Sequence, residues 1–174
     1  IIDEEQLLLQ FGAAEVIKQK HTILLEQFEV LDFNEVGRLF KSFIDDLVVY
    51  EDYLVNFDIA LTKRAGLLMS NRKFANYVET VRNEPSCKGQ PLESYLIAPV
   101  QRIPRYRLLL EQVLKYTDKE HNDYQNLVDA LDGVSQVAMA HNEAIRRRET
   151  KDKLMDIMMR VDYRCRVNLL EGER

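Results

Sequence analysis

The stretch Glu93–Thr117, ESYLIAPVQRIPRYRLLLEQVLKYT, decides how this 174-residue chain is read. It has the periodicity of a long helix, yet prolines stand at 99 and 104. A proline inside a helix lacks the N–H that would bond the carbonyl four residues back, and its ring crowds that carbonyl. The cost is roughly 3 kcal/mol. The carbonyls released are those of Tyr95 and Val100, and a bend is expected there. Leu96, Val100, Ile103, Tyr106 and Leu110 share one stripe, expected to be core. Ile97, Gln101, Arg105 and Leu108 fall on an adjacent stripe that mixes apolar, amide and guanidinium groups. That mixture suits a protein-contact surface, where apolar anchors sit beside arginine and amide donors. Spacing alone leaves the plainer alternative open, with Gln101 and Arg105 solvated and Ile97 at the edge of the core.

Working outward, the chain reads as helical on both sides. Asp3 with Gln6 has the pattern of a capping box for a helix from residue 4 to 31, carried by Leu7, Phe11, Ala14, Ile17, Leu24, Leu25, Phe28 and Leu31. Asn34 is the expected N-cap of a second helix. Its stripe is Val36, Leu39, Phe40, Phe43, Ile44, Leu47, Tyr50 and Leu54, continuing toward Leu68 with a bend expected near residues 53–58. Ser70 is the expected cap of a helix bearing Phe74, Tyr77, Val78 and Val81, and residues 83–91 read as a loop. After a polar break, Tyr124, Leu127, Val128, Leu131, Val134, Ala138 and Ile145 mark a last helix that runs past residue 150. Asn142 sits at the edge of that stripe, where an amide needs a partner, either inside the chain or on another protein. Few glycines and prolines separate these segments, so the expected fold is all-α, an elongated helical bundle with short loops.

Composition excludes several functions. The net charge is −5, and only Arg146–Lys153 is locally basic. That cluster reads as a solvated helix end or as a phosphoinositide or nucleic-acid patch, and a nucleic-acid partner is not expected. No apolar run reaches the ~18 residues that span a membrane. Cys87 and Cys165 form no CxxC, and His21, His121 and His141 have no metal-ligand spacing. No phosphate-binding loop, zinc-protease or nucleophile-elbow motif occurs. No cofactor is expected.

The run LIAPVQRIPRYRLLLEQVLKYT closely resembles the signature helix of Dbl-homology (DH) domains, the exchange-factor domains for Rho-family GTPases. FANYVETV and VAMAHNEAIRRRE resemble two further family segments. The resemblance implies a guanine-nucleotide exchange factor acting on a Rho, Rac or Cdc42-type GTPase without covalent chemistry. It implies that Arg105 packs against switch 2 of that GTPase, that Gln101 shares the contact face and that Ile97 tunes which GTPase is accepted. Asn142 is implied as a second switch 2 contact, and Leu108 joins the face by its position. Arg102, Tyr106 and Leu109 are expected to be mainly structural. Residues 1–160 are expected to form a DH domain lacking its N-terminal helix, which in the family carries a glutamate for switch 1, and to exchange poorly alone. Residues 161–174 are expected to be a linker or the first residues of a pleckstrin-homology (PH) domain. A cytoplasmic location is expected, with membrane contact only through an adjacent PH or other lipid-binding domain. Two alternatives are a non-catalytic helical scaffold using the same face and a membrane-binding module using Arg146–Lys153.

Overall fold

A computed structural model describes residues 1–160 of the chain, and the expectation for 161–174 lies outside them. The long helices are α1 (Glu4–Glu29), α2 (Val36–Phe43), α3 (Tyr50–Ser70), α4 (Arg72–Arg82), α5 (Leu92–Tyr116) and α6 (Tyr124–Arg160), with no strand among the described residues. Short 3₁₀ turns lie at Phe33–Glu35, Ile44–Val49 and Pro85–Cys87. The bundle expected from the periodicity is the one observed.

The ends of these helices follow from their side chains. Asp3 accepts from the Gln6 N–H at 2.7 Å, and the Gln6 amide oxygen accepts from the Asp3 N–H at 3.4 Å, closing the capping box of α1. Asn71, rather than Ser70, caps α4 by accepting from the Phe74 N–H at 3.0 Å. Ser70 remains in α3, where its hydroxyl donates to the Gly66 carbonyl. Asn34 is not the cap of α2 either. The buried Asp123, on the turn before α6, reaches across the bundle, and its carboxylate accepts from the N–H groups of Gly37 and Arg38. The first turn of α2 is thus capped by a residue more than eighty positions away. Gly37 makes this approach feasible: a Cβ there would lie 2.5 Å from the Leu127 backbone nitrogen.

The bend expected near residues 53–58 falls earlier, in the 3₁₀ turn Ile44–Val49. Aspartate and β-branched residues have low helix propensity, and Asp45, Asp46, Val48 and Val49 fall together in this turn. Ile44 also seats against Gly133 of α6 so closely that a Cβ at Gly133 would fall 2.3 Å from the Ile44 Cδ1. Helix α6 is the spine: α2, α3 and α5 all pack on it, while α1 packs on α3. The core gathers Ile17 and Leu24 of α1, Leu39, Phe40 and Phe43 of α2, Leu47, Tyr50 and Tyr53, Ile103, Tyr106 and Leu110 of α5, and Leu127, Ala130 and Val134 of α6. Leu7 and Leu25, expected on the core stripe of α1, are half or more exposed, because the buried stripe runs instead through Gln10, Ile17 and Leu24. Tyr77, grouped with Phe74 by its spacing, is likewise exposed, leaving Phe74 as that helix's buried anchor.

Candidate functional site

Helix α5 runs unbroken through Pro99 and Pro104. Its inner stripe is as expected: Leu96, Ile103, Tyr106 and Leu110 are buried, and Val100 packs against the same core. Tyr53 of α3 donates its hydroxyl to the Leu96 carbonyl at 2.7 Å, in the turn that Pro99 disturbs. This bond fixes the helix one residue from Ile97. Nearby, the buried Arg64 of α3 donates from Nε to the Gln10 amide oxygen at 2.9 Å, and its NH1 lies 4.0 Å from the Glu93 carboxylate. The Gln10 amide in turn donates to the Ala60 carbonyl at 3.0 Å. Burial lowers the Arg64 pKa, and Glu93 and Tyr53 oppose that shift. A polar strut therefore ties α1, α3 and the start of α5.

The outer face of α5 carries the residues singled out from the sequence. Gln101 and Arg105 are exposed, Leu108 is 59% exposed, and Ile97 is partly buried. The structure joins two of them: the Arg105 guanidinium donates to the Gln101 amide oxygen at 2.9 Å. One of the five guanidinium N–H donors is used there, and Arg105 has no ion pair among the described residues, so donors remain free to face outward. Asn142 is exposed on α6, which packs along α5, and no hydrogen bond engages its side chain among the described residues. The intramolecular partner considered for Asn142 is therefore not found. Its neighbour His141 is buried, with Nδ1 lacking a hydrogen-bond partner. Burial lowers the pKa of that imidazole, and Glu51 partly opposes the shift.

Of the three residues expected to be structural, Tyr106 is buried and Arg102 lies over its ring, 5.6 Å from the centroid. Leu109 is 58% exposed and does not belong to the core. With Leu108 it leaves two adjacent leucines exposed on the outer side of α5. The basic cluster after Asn142 is drawn into local ion pairs: Arg146 and Arg147 with Glu143, and Arg148 with Asp152. These pairs are exposed, as on a solvated helix end.

One further cluster lies beneath this face. His21 of α1 bonds two tyrosines, Nε2 to the Tyr50 hydroxyl and Nδ1 to the Tyr106 hydroxyl, the latter at 3.0 Å. The signal was present, since His21 stands four residues after Ile17 and three before Leu24 on the buried stripe. Among the described residues no group of histidine, cysteine or acidic side chains could hold a metal ion, and no helix is long and apolar enough to cross a membrane.

Comparison with known proteins accounts for this architecture. The RhoGEF domain family model matches residues 1–142. Rac guanine nucleotide exchange factor B of Dictyostelium discoideum is 30% identical over 205 residues, an alignment covering all of this chain and 17% of that protein. Human protein ECT2 is 30% identical over 181 residues, covering all of this chain and 20% of that protein. The chain thus spans a fifth or less of the length of these curated relatives. Among solved structures, the DH/PH domains of PDZ-RhoGEF in complex with GTP-γ-S-activated RhoA match with a TM-score of 0.82 at 20% identity, covering 90% of this chain and 46% of that one. The DH/PH domains of p115-RhoGEF, in an N-terminally truncated form, match with a TM-score of 0.83 at 18% identity, covering 92% and 50%. At that identity the structural likeness speaks for the fold, and the family rests on the sequence matches. The chain belongs to the RhoGEF domain family.

Proposed function

We propose that this domain promotes GDP release from a Rho-family small GTPase through one face, formed by Ile97, Gln101, Arg105 and Leu108 of α5 with Asn142 of α6. The observation that carries the reading is the split character of α5. Its inner stripe is locked into the core, while the outer stripe presents an apolar pair beside a guanidinium whose remaining donors are uncommitted. Such a face supplies apolar anchors and directed donors together, as protein contacts require. No bond is made or broken. The face stabilises GTPase switch conformations that bind nucleotide and Mg²⁺ poorly, and by linkage bound nucleotide weakens the domain's grip by the same factor. GTP then enters because it is the more abundant nucleotide. In this reading Arg105 and Asn142 meet switch 2, and Ile97, between core and solvent, biases which GTPase fits. Membrane contact is left to an adjacent lipid-binding domain in this reading; Arg146, Arg147 and Arg148 of α6 sit in exposed local ion pairs with Glu143 and Asp152.

The test is release of a fluorescent guanine nucleotide from a panel of Rho-, Rac- and Cdc42-type GTPases, using this chain with its natural flanking sequence. Accelerated release from at least one member is expected. Binding of a nucleotide-free GTPase without acceleration from any member would replace exchange by a scaffold role, and neither binding nor release would refute the reading.

A further inference from the structure

Tyr106 immediately follows Arg105, and successive helix residues are about 100° apart around the axis. Whatever fixes Tyr106 therefore fixes the direction in which Arg105 leaves the helix. Tyr106 is held from several sides. Phe40 of α2 meets its ring edge-on at 5.2 Å, Phe43 at 6.5 Å, and the Arg102 guanidinium covers its outer side. Those contacts hold the ring by packing rather than by a directed bond. The directional contact is the hydrogen bond from its hydroxyl to His21, which Tyr50 of α3 holds from the other ring nitrogen. One imidazole thus joins α1, α3 and α5 beneath the outer face.

The chemistry of this bridge depends on the charge of the ring. A neutral imidazole has one N–H and one lone pair, so one tyrosine donates to it while the other accepts. Protonation makes both nitrogens donors, and the tyrosine that was donating must turn its hydroxyl away and find another acceptor. Among the described residues, the ionisable groups facing His21 are Tyr50 from α3 and Tyr106 and Arg102 from α5, while α2 contributes the uncharged Phe43. No carboxylate is among them to stabilise an imidazolium. Burial, and then Arg102, hold the His21 pKa below its ordinary 6.5. Burial raises the pKa of Tyr50 and Tyr106, so both hydroxyls stay neutral.

Resting on the exchange function proposed above, we propose that His21 is a positioning residue of the exchange face: its neutral ring, bridging Tyr50 and Tyr106, holds α5 in the rotation that presents Gln101 and Arg105. A purely structural role would lower stability when the bridge is cut and leave the rate of the folded fraction unchanged. A positioning role changes the rate itself and makes it sensitive to the ring's protonation.

Glutamine separates the two. Its amide offers one acceptor and one donor, as the neutral ring does, but it does not titrate. Nucleotide release is measured from pH 5.5 to 8 on the responsive GTPase, with each rate divided by the spontaneous release at that pH, for wild type, His21→Gln, His21→Leu and Tyr106→Phe. The wild-type rate is expected to fall on the acid side. His21→Gln keeps the neutral-pH rate within about twofold and removes the acid fall, whereas His21→Leu and Tyr106→Phe lose roughly tenfold at every pH while circular dichroism shows them folded. Tyr106→Phe removes a single hydroxyl and keeps the ring, so it carries the test if His21→Leu does not fold. An acid fall of equal size in wild type and His21→Gln, or wild-type release by folded Tyr106→Phe, overturns the inference alone. Absence of release by wild type from every GTPase at every pH overturns the exchange function and this inference with it.

Discussion

Replacing Asp123 by alanine gives the most direct physical test of how this bundle holds α2 against α6. The carboxylate accepts from the Gly37 and Arg38 N–H groups and from the Asn126 side chain at 2.9 Å. Removing it strands two backbone donors that no helical carbonyl can serve. A buried donor without a partner costs about 1–3 kcal/mol. Gly37 is buried and sits toward the upper end, whereas the Arg38 bond is only part-buried, which places its N–H near 1 kcal/mol. The Asn126 amide can also rehydrate. The sum is about 3 kcal/mol, above the usual ~1 kcal/mol for losing a surface N-cap. For a chain of this size that predicts a fall in Tm of roughly 6–12 °C. Thermal unfolding followed by circular dichroism measures it. Asp123→Asn, which retains one acceptor oxygen, should fall between the two. A drop of less than about 2 °C for Asp123→Ala would refute the claim that this carboxylate caps α2.

Two glycines give opposite expectations. Gly37→Ala drives a Cβ into the Leu127 backbone, which cannot rotate away, and should cost about 1–3 kcal/mol or more. Gly66→Ala, in α3 with nothing within 4 Å, should stabilise by about 0.5–1 kcal/mol; the reverse order in urea midpoints contradicts the close α2–α6 packing. Tyr53→Phe loses the hydroxyl bond to the Leu96 carbonyl and should cost about 1–2 kcal/mol, read by chemical denaturation, with no change refuting that bond. Burial lowers the folded-state pKa of both His21 and His141, so below about pH 6.5 the unfolded chain binds protons that the folded chain resists. Stability is therefore full above that pH and declines as pH falls through the folded-state values. Denaturation midpoints at pH 7.5 and 5.5 should differ in wild type and differ less in His21→Gln; a flat profile refutes the assignment.

What could be read from the chain beforehand depended on the range of the interaction. The stripes of α5 were legible because helical geometry alone places Leu96, Ile103, Tyr106 and Leu110 on one side and Gln101 and Arg105 on another. Leu109 misled because it belongs to a leucine triplet, and a triplet wraps most of a turn: Leu110 faces the core, while Leu108 and Leu109 face out. The Asp123 cap was illegible because nothing near Gly37 in sequence signals an acceptor 86 residues away. The break at Ile44–Val49 is settled by the fit of Ile44 against Gly133, a tertiary contact that periodicity does not encode. Gln10, His21 and Arg64 were passed over because polar residues on an apolar stripe read as interruptions. Here they are the buried hydrogen-bonding groups that join helices.

The central claim is that the outer face of α5, with Asn142, drives nucleotide release while contributing little to the fold. Arg105 and Asn142 are both exposed, and among the described residues Arg105 bonds only to Gln101 within its own helix, so removing either should change stability by no more than about 0.5 kcal/mol. A charge-assisted hydrogen bond to the GTPase is worth about 1.5–3 kcal/mol, which corresponds to roughly ten- to hundredfold in rate. The measurement is catalysed nucleotide release by Arg105→Ala and Asn142→Ala, beside their unfolding midpoints. Slower release by about tenfold or more at unchanged Tm is predicted, and wild-type release by both variants would contradict the account.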